Sequence, residues 1–257
     1  MSEISGSTPK EMRDQQSYIP QEVTTMEDMI KFWTVFIKNS GKELPDPEEN
    51  RKLIEKEATE TMREQNDPDA RHCYVIKDGD EVIATSMTRM IEIGGKRFGY
   101  NGYLTVNQNK TEAQQDENKK KKFHDRITDV CEDRAKKDGC DYLCASVNCD
   151  NSIGLKVKFD RNYYLNELVE SIDEEGNIHR WFNVIKEPKP DVAQIGFAES
   201  KMVDFSNLDE IRSLLDSGWL GTKIVGVPSD QSNEKVPNWR LQMEKPKPNI
   251  DLLPKIG

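Results

Sequence analysis

The sequence predicts a mixed α+β fold in which a mostly antiparallel sheet is flanked by helices and followed by a C-terminal extension. Three observations predict it. Two helix-period stretches between Met26 and Asn66 precede a β-rich tract from His72 to Val106 that is broken by the turn pairs Asp78-Gly79 and Gly94-Gly95. A third helix-period stretch, from Lys119 to Gly139, leads to apolar runs at 141–148 and 163–186. A Pro-rich link, Glu187-Pro-Lys-Pro-Asp191, then introduces a tail that the preceding pattern does not require.

Taken in order, residues 1–20 are polar and end at Pro20, which predicts a flexible arm. In MEDMIKFWTVFIKN, the residues Met26, Met29, Ile30, Trp33, Phe36 and Ile37 recur at helical spacing, with Thr24 or Thr25 available as a cap. GKELPDP breaks this helix, and EENRKLIEKEATETMREQ predicts a second that closes near Asn66 and Pro68. HCYVIKDGDEVIATSMTRM predicts two strands around Asp78-Gly79-Asp80, and MIEIGGKRFGYNGYLTVN adds a run ending at Val106. After a polar loop at 108–118, Phe123, Ile127, Val130 and Cys131 define one face of a helix that Gly139 stops. DYLCASVN predicts a buried strand and SIGLKVKFD a short helix. YYLNELVES and IHRWFNVIK predict a hairpin turning at DEEGN. In the tail, NLDEIRSLLDSG predicts a capped helix, while GTKIVGV and NWRLQME predict strands. The expected organisation is an arm at 1–20, a core domain at 21–186 and an extension at 187–257 packed on that core, since a piece this small rarely holds a core alone.

Composition narrows the function classes. The chain has 257 residues, 35% hydrophobic and 33% charged, with a formal net charge of -10. Such an acidic balance argues against general nucleic-acid binding, which concentrates Lys and Arg against phosphates, and favours a cationic acceptor. No apolar run is long enough to span a bilayer, and MSEISGSTPKEMRDQQ lacks the apolar stretch of a secretory signal, so a cytoplasmic protein without a membrane partner is expected. The five cysteines (Cys73, Cys131, Cys140, Cys144, Cys149) form an odd set without disulfide or C-x-x-C spacing. They are expected to be buried small hydrophobes, with no metal site.

Two helices, a three-strand meander, a loop and helix, a strand, a short helix and a closing hairpin follow one another from about Met26 to Lys186. Within this order, GYLTVN leads through a polar loop to a helix ending AKKDGC, and Asn151 is followed by Gly154 and, further on, by Tyr163. Together these features resemble a divergent member of the GNAT-type N-acetyltransferase superfamily. The resemblance implies acetyl-CoA as co-substrate, with its pyrophosphate at a helix N-terminus and its pantetheine arm along exposed strand backbone. The residues so implicated are Leu104, Thr105 and Val106 on the strand, Lys119, Lys120, Lys121, Lys122, Phe123, His124 and Asp125 at the helix, and Asn151 and Lys158 at the short helix. Lys122 and His124 stand where the family's phosphate loop has small residues, and Lys158 falls near the family's proton-donating tyrosine.

The same resemblance implies transfer of an acetyl group to an amine by direct attack. A backbone N–H, at Val106, would meet the oxyanion. Tyr103, Tyr163 and Tyr164 are the aromatic hydroxyls expected near the reaction centre, and Glu92, with Asp141 and Glu167, the carboxylates able to take the amine proton. The acceptor class is a small-molecule amine or a lysine side chain, and a homodimer is compatible with this reading. Two alternatives stay open: a non-catalytic binding or sensor module on the same fold, and an acyltransferase using longer acyl-CoA esters.

Overall fold

A computed structural model describes residues 18–40, 42–65, 71–106, 117–173, 176–188, 195–227, 238–247 and 253–256, with side chains of the 117–137 helix described from residue 123. The fold is mixed α+β and mostly antiparallel, with five helices among the described residues, as the sequence predicts. The chain divides into two compact units. One comprises residues 1–92 and 99–140, the other residues 93–98 and 141–257.

In the first unit, α1 (Met26–Asn39) starts where Thr25 turns its hydroxyl onto the amide of Asp28 at 3.2 Å, which settles the cap between the two threonines. α2 (Pro47–Glu64) starts at Asp46, whose Oδ1 accepts from the amides of Glu48 and Glu49 at 2.7 and 3.0 Å, with Pro47 in the position that needs no donor. α1 buries Met29, Phe32, Trp33, Val35 and Ile37, and α2 buries Ile54, Ala58 and Thr61. Trp33 donates from Nε1 to the Thr61 hydroxyl at 3.2 Å, so the indole enters the core without losing its hydrogen bond.

The strands of this unit run in the order β1 (Gln21–Glu22), β2 (Arg71–Asp78), β3 (Glu81–Ile93), β4 (Lys96–Val106), with β4 entering it at Gly99. β1 pairs antiparallel with β2, and β2 with β3, where Cys73 faces Met87. β2 is covered on both sides. Cys73 and Val75 join the cluster of Met29, Phe32 and Trp33, while Tyr74 and Ile76 join Phe123, Ile127 and Cys131 of α3 (Glu117–Lys137). A strand between two helical layers buries consecutive side chains, hence the unbroken apolar run CYVI. Each large side chain so buried contributes about 1.5–3 kcal/mol.

In the second unit the strand order is β5 (Tyr142–Asn148), β7 (Ile178–Lys186), β6 (Tyr164–Ile172), β9 (Leu220–Val227), β10 (Asn238–Pro246), β8 (Phe197–Asp204). Every one of these pairings is antiparallel. Asn151 caps α4 (Ser152–Asp160) by accepting from the Gly154 amide at 2.7 Å, and Asn207 caps α5 (Leu208–Asp216) through the Glu210 amide at 3.3 Å. Residues 93–98 are tied in by a two-point backbone clamp. The Asp141 amide donates to the Arg97 carbonyl at 2.8 Å, and the Arg97 amide donates to Asp141 Oδ2 at 2.9 Å.

The predicted tail helix and both tail strands are present. β8 is an addition to the sequence reading: nearly all of FAESKMVD is exposed, so it carries no alternation from which a strand could be read. α3 begins at Glu117, two residues before the predicted Lys119, because the first turn is polar and adds nothing to the apolar period.

Candidate functional site

In the first unit the sequence-predicted residues gather at the end of β4 and the start of α3. Tyr103 adopts φ 54°, in the left-handed region that a bulky side chain in a strand seldom enters. Its ring explains how the conformation is held: it meets Phe36 edge-on at 4.7 Å and Trp33 at 5.3 Å. The Tyr103 carbonyl accepts from the Thr85 hydroxyl at 3.2 Å, and the Gly102 carbonyl from the Ser86 hydroxyl at 3.5 Å. A left-handed residue inside a strand re-aims the residues after it. Those residues, Leu104, Thr105 and Val106, are all half-buried, with Leu104 and Val106 packed on the Phe123 cluster. Burial pushes the Tyr103 hydroxyl above the usual tyrosine range, so it stays protonated at neutral pH.

Lys119, Lys120, Lys121 and Lys122 fall within the helical range of α3, but their side chains lie outside the described residues. With the helix starting at Glu117, the amides of residues 117–119 have no partner within the helix. Phe123 is 2% exposed and meets Tyr18 edge-on at 5.0 Å, so it is a core side chain. His124 and Asp125 are half-buried beside it, and Glu92, near the end of β3, is exposed.

The second unit holds the remaining predictions. Asn151 is a helix cap with an exposed side chain. Lys158 is buried at 5% exposure, its Nζ 5.0 Å from the centroid of the Tyr163 ring, while Lys186 Nζ lies 4.6 Å from the same centroid. The structure therefore brings Lys158 and Tyr163 together and packs both inside. Tyr164 is half-buried beside Phe197, with ring centroids 6.2 Å apart. Burial raises its hydroxyl above the usual range, and a backbone hydrogen bond at Ile195 works the other way. Asp141 is occupied by the Arg97 clamp.

Glu167 stands in a polar row that crosses three strands. Ser146 Oγ on β5 donates to Asn183 Oδ1 on β7 at 2.6 Å, and Asn183 Nδ2 donates to Glu167 Oε2 on β6 at 2.8 Å. The same oxygen accepts from the Ile256 amide at 3.2 Å, and neighbouring Asn166 donates from Nδ2 to the Pro254 carbonyl at 2.8 Å. Asn166, Asn183 and the chain end were not singled out in the sequence. The signal was a single asparagine inside each apolar strand run, Leu165-Asn166 and Phe182-Asn183, each 4% exposed.

All five cysteines are buried free thiols. Burial pushes the Cys149 thiol up to about 12, with Asp150 adding to the effect, which argues against Cys149 as a proton donor or nucleophile. Among the described residues no group of three His, Cys, Asp or Glu is placed to hold a metal, and no helix is long and apolar enough to cross a membrane. A groove of about 290 Å³ against α1, lined by Lys31, Thr34, Lys38, Asp80 and Glu81 among others, contains none of the predicted site residues.

No family model matches the sequence, and no curated protein matches it. Among solved structures, an N-acetyltransferase from Staphylococcus aureus Mu50 aligns at 11% identity over 66% of this chain and 97% of its own, with a TM-score of 0.47. A GNAT-family acetyltransferase from Streptococcus pneumoniae aligns at 11% identity over 66% of this chain and 99% of its own, TM-score 0.49. An aminoglycoside 6'-acetyltransferase type Ii aligns at 13% identity over 68% and 99%, TM-score 0.48. At such identities the chemistry has to be read from this chain's own residues.

Proposed function

We propose that the chain is an acyl-CoA-dependent N-acetyltransferase whose cofactor elements are the end of β4 and the first turn of α3. The observation that carries this reading is the left-handed Tyr103 inside β4, with two successive carbonyls satisfied by hydroxyls of β3. A left-handed residue at this point re-aims the backbone of Leu104 to Val106, which suits their amides to a ligand's own amides. The amides of residues 117–119, which have no partner within the helix, stand at its positive end, where a diphosphate binds readily. The fit is between these donors and an anionic, amide-bearing cofactor. Lysine at 119–122 supplies charge where the resemblance expects small residues.

Acetyl-CoA would bring the thioester. The Val106 amide is the donor suited to a developing oxyanion. The Tyr103 hydroxyl, kept protonated by burial, is suited to return a proton to a departing thiolate. An acceptor amine near pKa 10 must lose a proton first, and Glu92, seven residues along β3 from the Thr85 that bonds Tyr103, lies too far along the strand to take it. The net charge of -10 favours a cationic acceptor, a small-molecule amine or a lysine side chain.

A second reading, a binding or sensor module without catalysis, is favoured by Lys158. It sits buried over Tyr163 near where the resemblance expects a proton-donating tyrosine. Unfolding with and without acetyl-CoA, followed by turnover with amine acceptors, separates the two. At one hundred times its dissociation constant, acetyl-CoA should add about 2.7 kcal/mol to the stability of the parent. Lys122→Glu should gain less. Stabilisation with turnover supports the transferase, no stabilisation of the parent supports a module that has lost the cofactor, and equal stabilisation of the variant refutes the phosphate placement.

A further inference from the structure

Asn166 and Glu167 are adjacent residues of β6, and each holds the main chain of the C-terminal segment Leu253–Ile256 rather than its side chains. Asn166 donates to the Pro254 carbonyl and Glu167 accepts from the Ile256 amide. In an extended chain the carbonyl of one residue and the amide of the residue two further on point the same way. Two neighbouring side chains, one donor and one acceptor, therefore read an extended backbone whatever its sequence.

The strand is shaped for this. Opposite β7, Leu165 pairs with Val184 and Glu167 with Asn183, which leaves Asn166 as the extra residue of a bulge. Bulges re-aim a side chain out of the regular alternation. Glu167 is held in turn by Asn183, and Asn183 by Ser146, so the acceptor is oriented before any backbone arrives.

One half of the Asn166 amide is unused. Its Oδ1 is buried and has no hydrogen-bond partner among the described residues, although Nδ2 is engaged. The reason lies in the occupant. In an extended chain the N–H of a residue points the same way as its C=O, so the N–H of residue 254 would fall to Oδ1, but residue 254 is proline and has none. A non-proline residue there would satisfy both ends of the amide, and a buried unsatisfied acceptor is costly to leave.

We propose that Asn166 and Glu167, backed by Asn183 and Ser146, form a binding site for the backbone of an extended peptide segment, which the chain's own Leu253–Ile256 fills in cis as a displaceable occupant weakened by Pro254. The site is separate from the proposed cofactor elements, the end of β4 and the first turn of α3, and its test contains no cofactor.

The test uses the full chain and a labelled peptide of residues 251–257. Hydrogen exchange at the Ile256 amide should be slowed in the full chain. Excess peptide should accelerate it several-fold by displacing the tail, and Pro254→Ala in the chain should slow it several-fold further. A chain lacking residues 253–257 should bind the peptide at least tenfold more tightly than the full chain, and the peptide carrying Pro254→Ala more tightly still. An Ile256 amide that exchanges as in an unfolded chain would overturn the proposal. So would exchange that excess peptide leaves unchanged, or a Pro254→Ala substitution that speeds it. If the truncated chain fails to fold, the exchange measurements on the full chain decide alone.

Discussion

Gly221 on β9 lies against Leu165 on β6 so closely that a Cβ built on the glycine would stand 2.8 Å from the Leu165 Cβ. The contact is backbone against a buried side chain, and Leu165 is fully enclosed. It is the register point at which the tail strands join the β5–β7–β6 sheet. Gly221→Ala should therefore cost about 1–3 kcal/mol through overpacking, read as a lowered urea midpoint with an unchanged slope. A neutral substitution would mean that β9 sits further from β6 than described.

Cys149 gives a prediction at alkaline pH. Its thiol is pushed up to about 12 by burial, whereas a thiol in the unfolded chain titrates near 8.5. The neutral form is the one the fold prefers. Its contribution is present in full below about pH 8.5 and is lost as pH rises from there through about 12. Cys149→Ser should flatten this alkaline loss of stability. In the native parent at pH 8, iodoacetamide should modify the cysteines far more slowly than in denaturant, since all five are buried.

At acid pH the group to follow is Glu170. Arg180 and Arg212 both hydrogen-bond its carboxylate, at 2.6 and 2.8 Å, and hold it below the usual carboxylate range, with Arg180 the larger influence. A depressed carboxylate stabilises the fold above its unfolded pKa, and that contribution disappears as pH falls through the folded value. Glu170→Gln should therefore lower the denaturation midpoint at pH 7, and the difference should shrink as pH falls through the folded carboxylate's range. The difference should shrink in high salt, because the pair is partly exposed.

The helices of the first unit could be read from their period, with Thr25 one of two threonines available as a cap, whereas Asp46 lies inside the breaker GKELPDP. β2 could be read from its unbroken apolar run, and Asn151 as a cap from its place before a short helix. What escaped the sequence are the irregularities. In Tyr100-Asn-Gly-Tyr103 a left-handed residue would be expected at the glycine, but it falls on Tyr103, because the aromatic packing of Trp33 and Phe36 holds the ring. YLNELVES reads as a regular strand, and only the pairing with β7 reveals the bulge at Asn166. The LPKI segment has no period at all, so nothing in it announces that Glu167 holds its backbone. Lys158 and Phe123 looked available by position, whereas burial places both inside.

The amides after Tyr103 and those opening α3 are the proposed seat of an acyl-CoA. Residue-resolved hydrogen exchange with and without acetyl-CoA tests it most directly. The predicted result is slowed exchange at Leu104–Val106 and at residues 117–119. Unchanged exchange at both places under saturating acetyl-CoA, or protection confined to other parts of the chain, would contradict the account.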